Sequence, residues 1–301
     1  SKAPDHAPFA RDVVTGAPGG MHRFGLHVSL ETETYETSTL FAGYPAQRPW
    51  YPFTNEMYQN VIPNAAAGYP YPIRALFIQK GTPVLSCPAG HVQAAMLRDP
   101  TRIPLVIACD IVLGETTMYA DYVIPDLTYL ERWGVPHVTP AIQTRVSKLR
   151  QPTVAPLTEV VTVNGEDMPL SLETFLIAVG LRLGMPGFGE NGLGEGYPFT
   201  RPEHYYLAMA ANLAYGDQDD GSERLPAADE EEFRVFRAAR AHLPPAVFDE
   251  EVWAAAVPAD LWPSVVYLLN RGGRYAPASQ AYNGDHLGHP WNGQWHLYIE
   301  K

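Results

Sequence analysis

Three short apolar runs, IRALFIQ at 73–79, PLVIACD at 104–110 and DYVIPD at 121–126, constrain the fold more than any other feature of the chain. Each is too short for a buried helix, is rich in Val, Ile or aromatic residues, and ends beside Gly, Pro or Asp, as strands buried on both faces do. Between the first two lies PAGHVQAAMLRD, helical in pattern with Pro88 near its first turn, and between the second and third a short helical turn around ETTMYA. Strand, helix, strand, helix, strand is the grammar of a parallel sheet. The chain is therefore expected to be α/β. A parallel-sheet three-layer domain over 71–184 would follow an extended irregular arm at 1–70, rich in Pro, Tyr and Gly, and precede a helical and loop extension at 185–301.

Later helices announce their own ends. SLETFLIAVGLRLG opens on Ser171 as N-cap and stops at Gly184, and Leu172, Phe175, Leu176, Val179 and Leu183 recur at helical spacing, which predicts one face packed on the sheet. PEHYYLAMAANLAY, ADEEEFRVFRAARAHL, a helix opened by Asp249, and DLWPSVVYLLN closed by Gly272 and Gly273 follow. The acidic run DEEE reads as a solvated helix start favoured by the dipole.

Charge narrows the partners. Thirty-three acidic against 21 basic residues give a formal charge of −12, which argues against nucleic acid and against an anionic membrane surface. No run has the roughly 20 apolar residues of a membrane span, LWPSVVYLL being short and broken by Pro. Cys87 and Cys109 lie in different expected elements and supply neither a disulfide framework nor a cysteine metal site. The opening SKAPDHAPFARD has no initiator Met and no signal-peptide pattern, so a piece of something longer is expected.

Several motifs are weak. Gly187, Gly189 and Gly192 match GxGxxG literally, but a helix precedes them and YPFTRP follows, whereas a dinucleotide fingerprint needs a strand before and a helix after. His286 and His289 in DHLGHP offer two ligands on a helix turn without a third, which favours a surface or packing role. Neither GxSxG nor HExxH occurs, and KGTP is not a P-loop.

Position says more. Ligands of open parallel sheets sit beyond the carboxyl ends of the strands. The expected strands end at Lys80-Gly81-Thr82-Pro83, at Cys109-Asp110, and at Asp126 through Arg132, so these residues should share one edge. Gly81 admits a ligand close to the backbone, Asp110 accepts from a base or ribose, and Arg132 has the fork for a phosphate. The competing reading is that Asp110 and Asp126 only cap the following turns. The residues reach a nucleotide-sized site and no further.

LVIACDIVLGETTMYADYVIPDLTYLERWG resembles the stretch of molybdopterin oxidoreductases of the dimethyl sulfoxide reductase type in which an Asp ends a strand, a Thr-rich turn follows, and an A-D-x-x-x-P strand leads to a Glu and a Gly. IRALFIQKGTPVLSCP is similar to the preceding strand and cofactor loop. YPAQRPWYPFTNEMYQNVIPNAAAGYPYPIRALF, GMPGFGENGLGEGYPFTRPEHYYLAMAANLAYGD and VVYLLNRGGRY look like the catalytic subunits of the tetrathionate reductase subgroup, with respiratory arsenate reductases the alternative.

The resemblance implies a bis-molybdopterin guanine dinucleotide cofactor carrying molybdenum. It implies that Gly81 and Thr82 stand in the cofactor loop, Thr82 where the family often has Asn. Cys109 and Asp110 stand at a strand end contacting a guanosine portion, Arg132 follows the Glu, and Glu173 stands where an Asp often opens the next helix. It also implies upstream cysteines for a four-iron cluster and a downstream barrel-like domain, neither of which Cys87 and Cys109 or the C-terminal helices supply. The chain is thus expected to be the middle of a larger periplasmic subunit, inactive alone. Its implied partners are the missing N- and C-terminal domains, together with separate subunits for iron–sulfur electron transfer and for membrane anchoring. The parent would reduce tetrathionate or a related oxyanion in anaerobic respiration. The competing classes are a non-catalytic doubly wound nucleotide-binding module and a small hydrolase.

Overall fold

The structure is a computed structural model that describes residues 59–69, 71–135, 146–216, 223–276, 279 and 282–287. These fall into two compact units divided between Asp126 and Leu127. Most of the expected N-terminal arm lies outside the described residues; its last part, read as irregular, forms helix α1 (Val61–Ala66). Ile62 and Ala65 on α1 are buried in the core of the first unit, so hydrophobic docking rather than strong propensity holds this six-residue helix.

The first unit has the expected parallel sheet. Strands β1 (Leu76–Gln79), β2 (Val106–Asp110) and β3 (Tyr122–Pro125) lie in the order β1-β2-β3, all parallel, with Ile78 opposite Ala108 and Ala108 opposite Val123. Between β1 and β2 run α2 (Pro83–Ser86) and α3 (Gly90–Leu97), and a single 3-10 turn at Thr117–Tyr119 connects β2 to β3. β2 is central, with Ala108 and Cys109 wholly buried, which is why its sequence is an unbroken apolar run. Leu76, Ile78 and Val106 share one face and pack with Ile62, Leu97 and Ile103, while Tyr122, in register with Phe77 and Ile107 on the other face, is 65% exposed. α2 and α3 meet so closely that a Cβ added at Gly90 would collide with the Val84 carbonyl.

The second unit holds hairpin β5 (Val160–Val163) and β6 (Glu166–Pro169), helix α4 (Leu172–Arg182), hairpin β7 (Gly189–Gly194) and β8 (Tyr197–Phe199), and helices α5 (Pro202–Tyr215), α6 (Glu230–Arg240), α7 (Glu250–Ala255) and α8 (Trp262–Arg271). β4 (Val146–Lys148) pairs antiparallel with β9 (Gly273–Tyr275), and β10 (Tyr282–Asn283) pairs with β11 (His286–Leu287). The β5–β6 turn is Asn164-Gly165 with φ of +54° and +84°, the left-handed pair a two-residue hairpin requires. Caps fall where the sequence places them at Ser171 and Asp249, which accept from helical N–H groups, and at Gly272, which closes α8 at φ +71°; Asp229, read as part of an acidic helix start, also caps α6.

The helical extension carries its own core: Leu207, Ala208, Ala211, Phe236, Trp253, Val265 and Leu268 are all at most 1% exposed. Small Ala side chains on α5 let α8 approach, and Phe236, Phe248, Trp253 and Trp262 meet edge to face, Phe248 and Trp253 with centroids 4.8 Å apart. α4 belongs to this unit and, of the expected stripe, buries only Leu172 fully, with Thr174, Ile177 and Gly180 buried beside it and Leu176 46% and Leu183 70% exposed. Gly180 explains the rotation, because its bare backbone is the seat of the Phe188 ring. GFGENGLGEG, read as a loop, is mostly the β7–β8 hairpin, so the literal GxGxxG match has no strand-to-helix context. His286 stands on a strand, not a helix turn, and His289 lies outside the described residues.

Candidate functional site

The carboxyl ends of the three strands form an edge stitched by backbone and side chain. The Lys80 N–H donates to the Cys109 carbonyl at 3.0 Å, and the Asp126 N–H donates to the Asp110 carbonyl at 3.0 Å. The Lys80 Nζ lies 3.0 Å from Asp126 Oδ2, and the Asp126 side chain has no exposed surface while that of Lys80 is 37% exposed. The two residues follow β1 and β3, on either side of β2, so this pair bridges the end of the central strand.

Gly81 and Thr82 follow at once. Thr82 turns its carbonyl to the N–H groups of Leu85 and Ser86 and so starts α2, with Pro83 at the first helical position. Among the described residues nothing accepts from the Gly81 or Thr82 N–H, and the Thr82 hydroxyl makes no bond. A Cβ built on Gly81 would touch its neighbours only at an ordinary 3.6–3.7 Å, and Gly81 is not in the left-handed region. Neither backbone conformation nor crowding demands glycine there.

Asp110 ends β2 half-buried. Its Oδ1 accepts from the Ile111 N–H at 2.7 Å, the capping role weighed from the sequence, and its second oxygen has no protein partner among the described residues. Ile111, Val112 and Leu113 beyond it are 50%, 65% and 76% exposed, an apolar rim beside the carboxylate. Cys109 is wholly buried and its carbonyl is taken by Lys80, so its side chain lies in the sheet and not on the edge.

Two other carboxylates of this stretch of sequence, Asp121 and Glu131, have structural work. Asp121 accepts from the Val106 N–H at 2.8 Å and fixes the start of β3 against β2. Glu131 accepts from the Thr128 N–H and hydroxyl, both at 2.7 Å, and from the Leu157 N–H at 3.0 Å. Burial raises the pKa of Glu131, but these hydrogen bonds from Thr128 and Leu157 outweigh it and hold the group below its ordinary value.

Arg132 and Glu173 are brought together in the second unit as a salt bridge, with side chains 11% and 22% exposed. The Tyr206 hydroxyl donates to Glu173 Oε1 at 3.2 Å, and burial with the neighbouring Glu173 raises its pKa well above the usual phenol range. Tyr206 lies parallel to Trp133 with centroids 5.8 Å apart. The cavity beside Arg132, Glu173 and Tyr206 has about 50 Å³, enough for a water or two but not a nucleotide. Arg132 therefore braces its own unit and has its fork engaged. The sequence reading missed Arg150, which stacks over the Tyr129 ring at 4.8 Å and whose pKa burial and then Arg132 depress. It also missed Lys80 as a partner of Asp126; the signal was opposite charges at the ends of two strands flanking a third.

Three curated proteins bear on this arrangement. The selenate reductase A-subunit of Mesobacillus selenatarsenatis is 44% identical over 284 residues, 94% of the chain. The tetrathionate reductase A-subunit of Salmonella typhimurium is 34% identical over 280 residues, 89% of the chain. The thiosulfate reductase molybdopterin-containing subunit of the same organism is 34% identical over 76 residues, a quarter of the chain. The chain belongs to the molybdopterin oxidoreductase family. It spans about a quarter of the length of the two long relatives, 27% and 26%. No protein-family profile matches it. Within this family segment no described helix is long and apolar enough to cross a membrane, and no group of three His, Cys, Asp or Glu among the described residues is placed to hold a metal.

Proposed function

We propose that this chain is part of the catalytic subunit of a molybdenum-dependent reductase of a selenium or sulfur oxyanion, and that its β1–β2 edge holds one guanosine portion of bis-molybdopterin guanine dinucleotide. The observation that carries the reading is the conjunction of unengaged donors, the Gly81 and Thr82 N–H groups, with the open carboxylate oxygen of Asp110 at neighbouring strand ends. The donor set fits the group. Guanine presents N1–H and a 2-amino group, two donors that match a carboxylate, and phosphate oxygens match backbone N–H groups and the Thr82 hydroxyl. The apolar rim of Ile111, Val112 and Leu113 suits the face of a base and excludes water from the Asp110 contact.

When bound, the cofactor supplies the redox metal; this chain's residues bind and orient it. Cys109 sets the register beneath the site, and Arg132 with Glu173 stiffens the second unit. The identities of 44% and 34% support selenate or tetrathionate as the substrate class. A four-iron cluster, an iron–sulfur partner subunit, a membrane anchor and a periplasmic home complete the proposal for the parent protein.

Titration calorimetry of the full chain with guanosine tests it. Binding that Asp110→Ala weakens by about tenfold or more, the worth of at least one hydrogen bond to a charged group, is the expected result. No heat with the wild-type chain at millimolar guanosine would overturn the reading.

A further inference from the structure

Lys80 leaves β1 at φ +50°, a left-handed conformation that Gly or Asn adopts far more readily. What the chain gains from a lysine there is its side chain. β2 lies between β1 and β3, so the ammonium reaches Asp126 only by crossing the end of β2, a span of two strand spacings or roughly 10 Å. Backbone bonds on both sides fix the two anchor points, Lys80 to the Cys109 carbonyl and Asp126 to the Asp110 carbonyl, each at 3.0 Å. The carboxylate is wholly buried, whereas more than a third of the lysine side chain remains exposed. An ammonium carries three N–H donors, and the bond to Asp126 uses one.

We propose that Lys80, held across β2 by Asp126, receives the phosphate of a nucleotide at this edge while Asp110 receives its base. The ligand class is a phosphate ester of a purine nucleoside, and the inference rests on the guanosine-site reading above. Without Lys80 the edge would present two carboxylates, Asp110 and Asp126, on a chain of charge −12, and would repel a phosphate. With Lys80 it presents a cation already held in place, so little side-chain freedom is lost when an anion arrives. The Gly81 and Thr82 N–H groups stand next in the chain and add neutral donors to the same oxygens. Asp126 touches no ligand in this scheme and is a positioning residue.

Guanosine and GDP differ only in the diphosphate, so paired titrations of the full chain separate the two roles. Lys80→Met alone strands a buried carboxylate, so the main variant is the double Lys80→Met/Asp126→Asn, which removes both charges. It is expected to bind guanosine like the wild type and GDP about tenfold or more weaker, the loss of one charge-assisted contact. Asp126→Asn, which keeps the ammonium and removes its anchor, is expected to show the same split to a smaller degree and serves if the double variant does not fold. Unchanged GDP affinity in either folded variant overturns the role of Lys80 and leaves the guanosine site standing. Failure of the wild-type chain to bind either probe overturns both.

Discussion

Acid should destabilise the second unit through one imidazole. His204 stands at the third position of α5, is 5% exposed, and its Nδ1 accepts from the Thr200 N–H at 3.3 Å. Burial first, and then the adjacent Arg201 guanidinium, push its pKa from 6.5 down to about 4. In the unfolded chain the imidazole takes a proton below pH 6.5; in the folded chain it stays neutral until about pH 4. Between those values the unfolded state binds more protons, so stability is constant above pH 6.5 and falls as pH drops towards 4. Each pH step of one within that window costs about 1.4 kcal/mol, so the penalty accumulated from neutral pH to pH 4.5 is about 2.5 kcal/mol. His204→Gln supplies a comparison that does not titrate, and Gln is favoured at this helical position because its carbonyl oxygen reaches back to the same kind of N–H. Urea unfolding of both proteins from pH 7.5 to 4.5, followed by tryptophan fluorescence, gives the difference free of other carboxylates. The wild type should lose about 2.5 kcal/mol more than the variant over that range. Parallel curves would refute the argument, because they would mean that His204 titrates alike in both states.

Trp253→Ala should cost about 3–5 kcal/mol in urea unfolding, since its 1% exposed ring joins Phe236, Phe248 and Trp133 in one cluster. Glu131→Gln should cost about 1–3 kcal/mol at pH 7. With its folded pKa held down, the Glu131 contribution is present above pH 4.5 and lost as pH falls below it, so wild type and variant should converge in acid. Gly90→Ala should lower the melting temperature more than Gly165→Ala does, because the first drives a Cβ into the Val84 carbonyl whereas the second meets open space and costs only the strain of φ +84°.

The legible parts of the fold are those that local chemistry decides. An apolar run such as PLVIACD has to be a central strand because a parallel sheet buries both faces, and β2 does so with Ala108 and Cys109 at zero exposure. Ser171, Asp249 and Gly272 mark helix ends because capping needs only neighbours in sequence. What is not legible depends on contacts distant in sequence. α4 offers apolar residues on more than one side, and which side is buried is set by Phe188 lying on Gly180, a choice its periodicity does not contain. The helices after residue 185 look like an extension when counted one by one, since α5 is apolar almost all round and α6 apolar on one stripe. Only their mutual packing of Leu207, Phe236 and Val265 makes them a core.

The same division runs through the candidate site. Gly81, Thr82 and Asp110 are readable because a strand's carboxyl end is a position along the chain, and parallel register then brings such ends to one edge. Lys80 with Asp126, and Arg132 with Glu173, are pairings across 46 and 41 positions of sequence, and pairing decides what each charge is free to do. In sequence Arg132 looks like a phosphate fork, yet it is spent on Glu173 in a cavity of about 50 Å³. Lys80 looks like a strand-end residue before a glycine, yet its partly exposed side chain crosses the end of β2. A cation serves a ligand only with donors left over once its own fold is satisfied, and by that criterion the proposal assigns the anion contact to Lys80 rather than to Arg132.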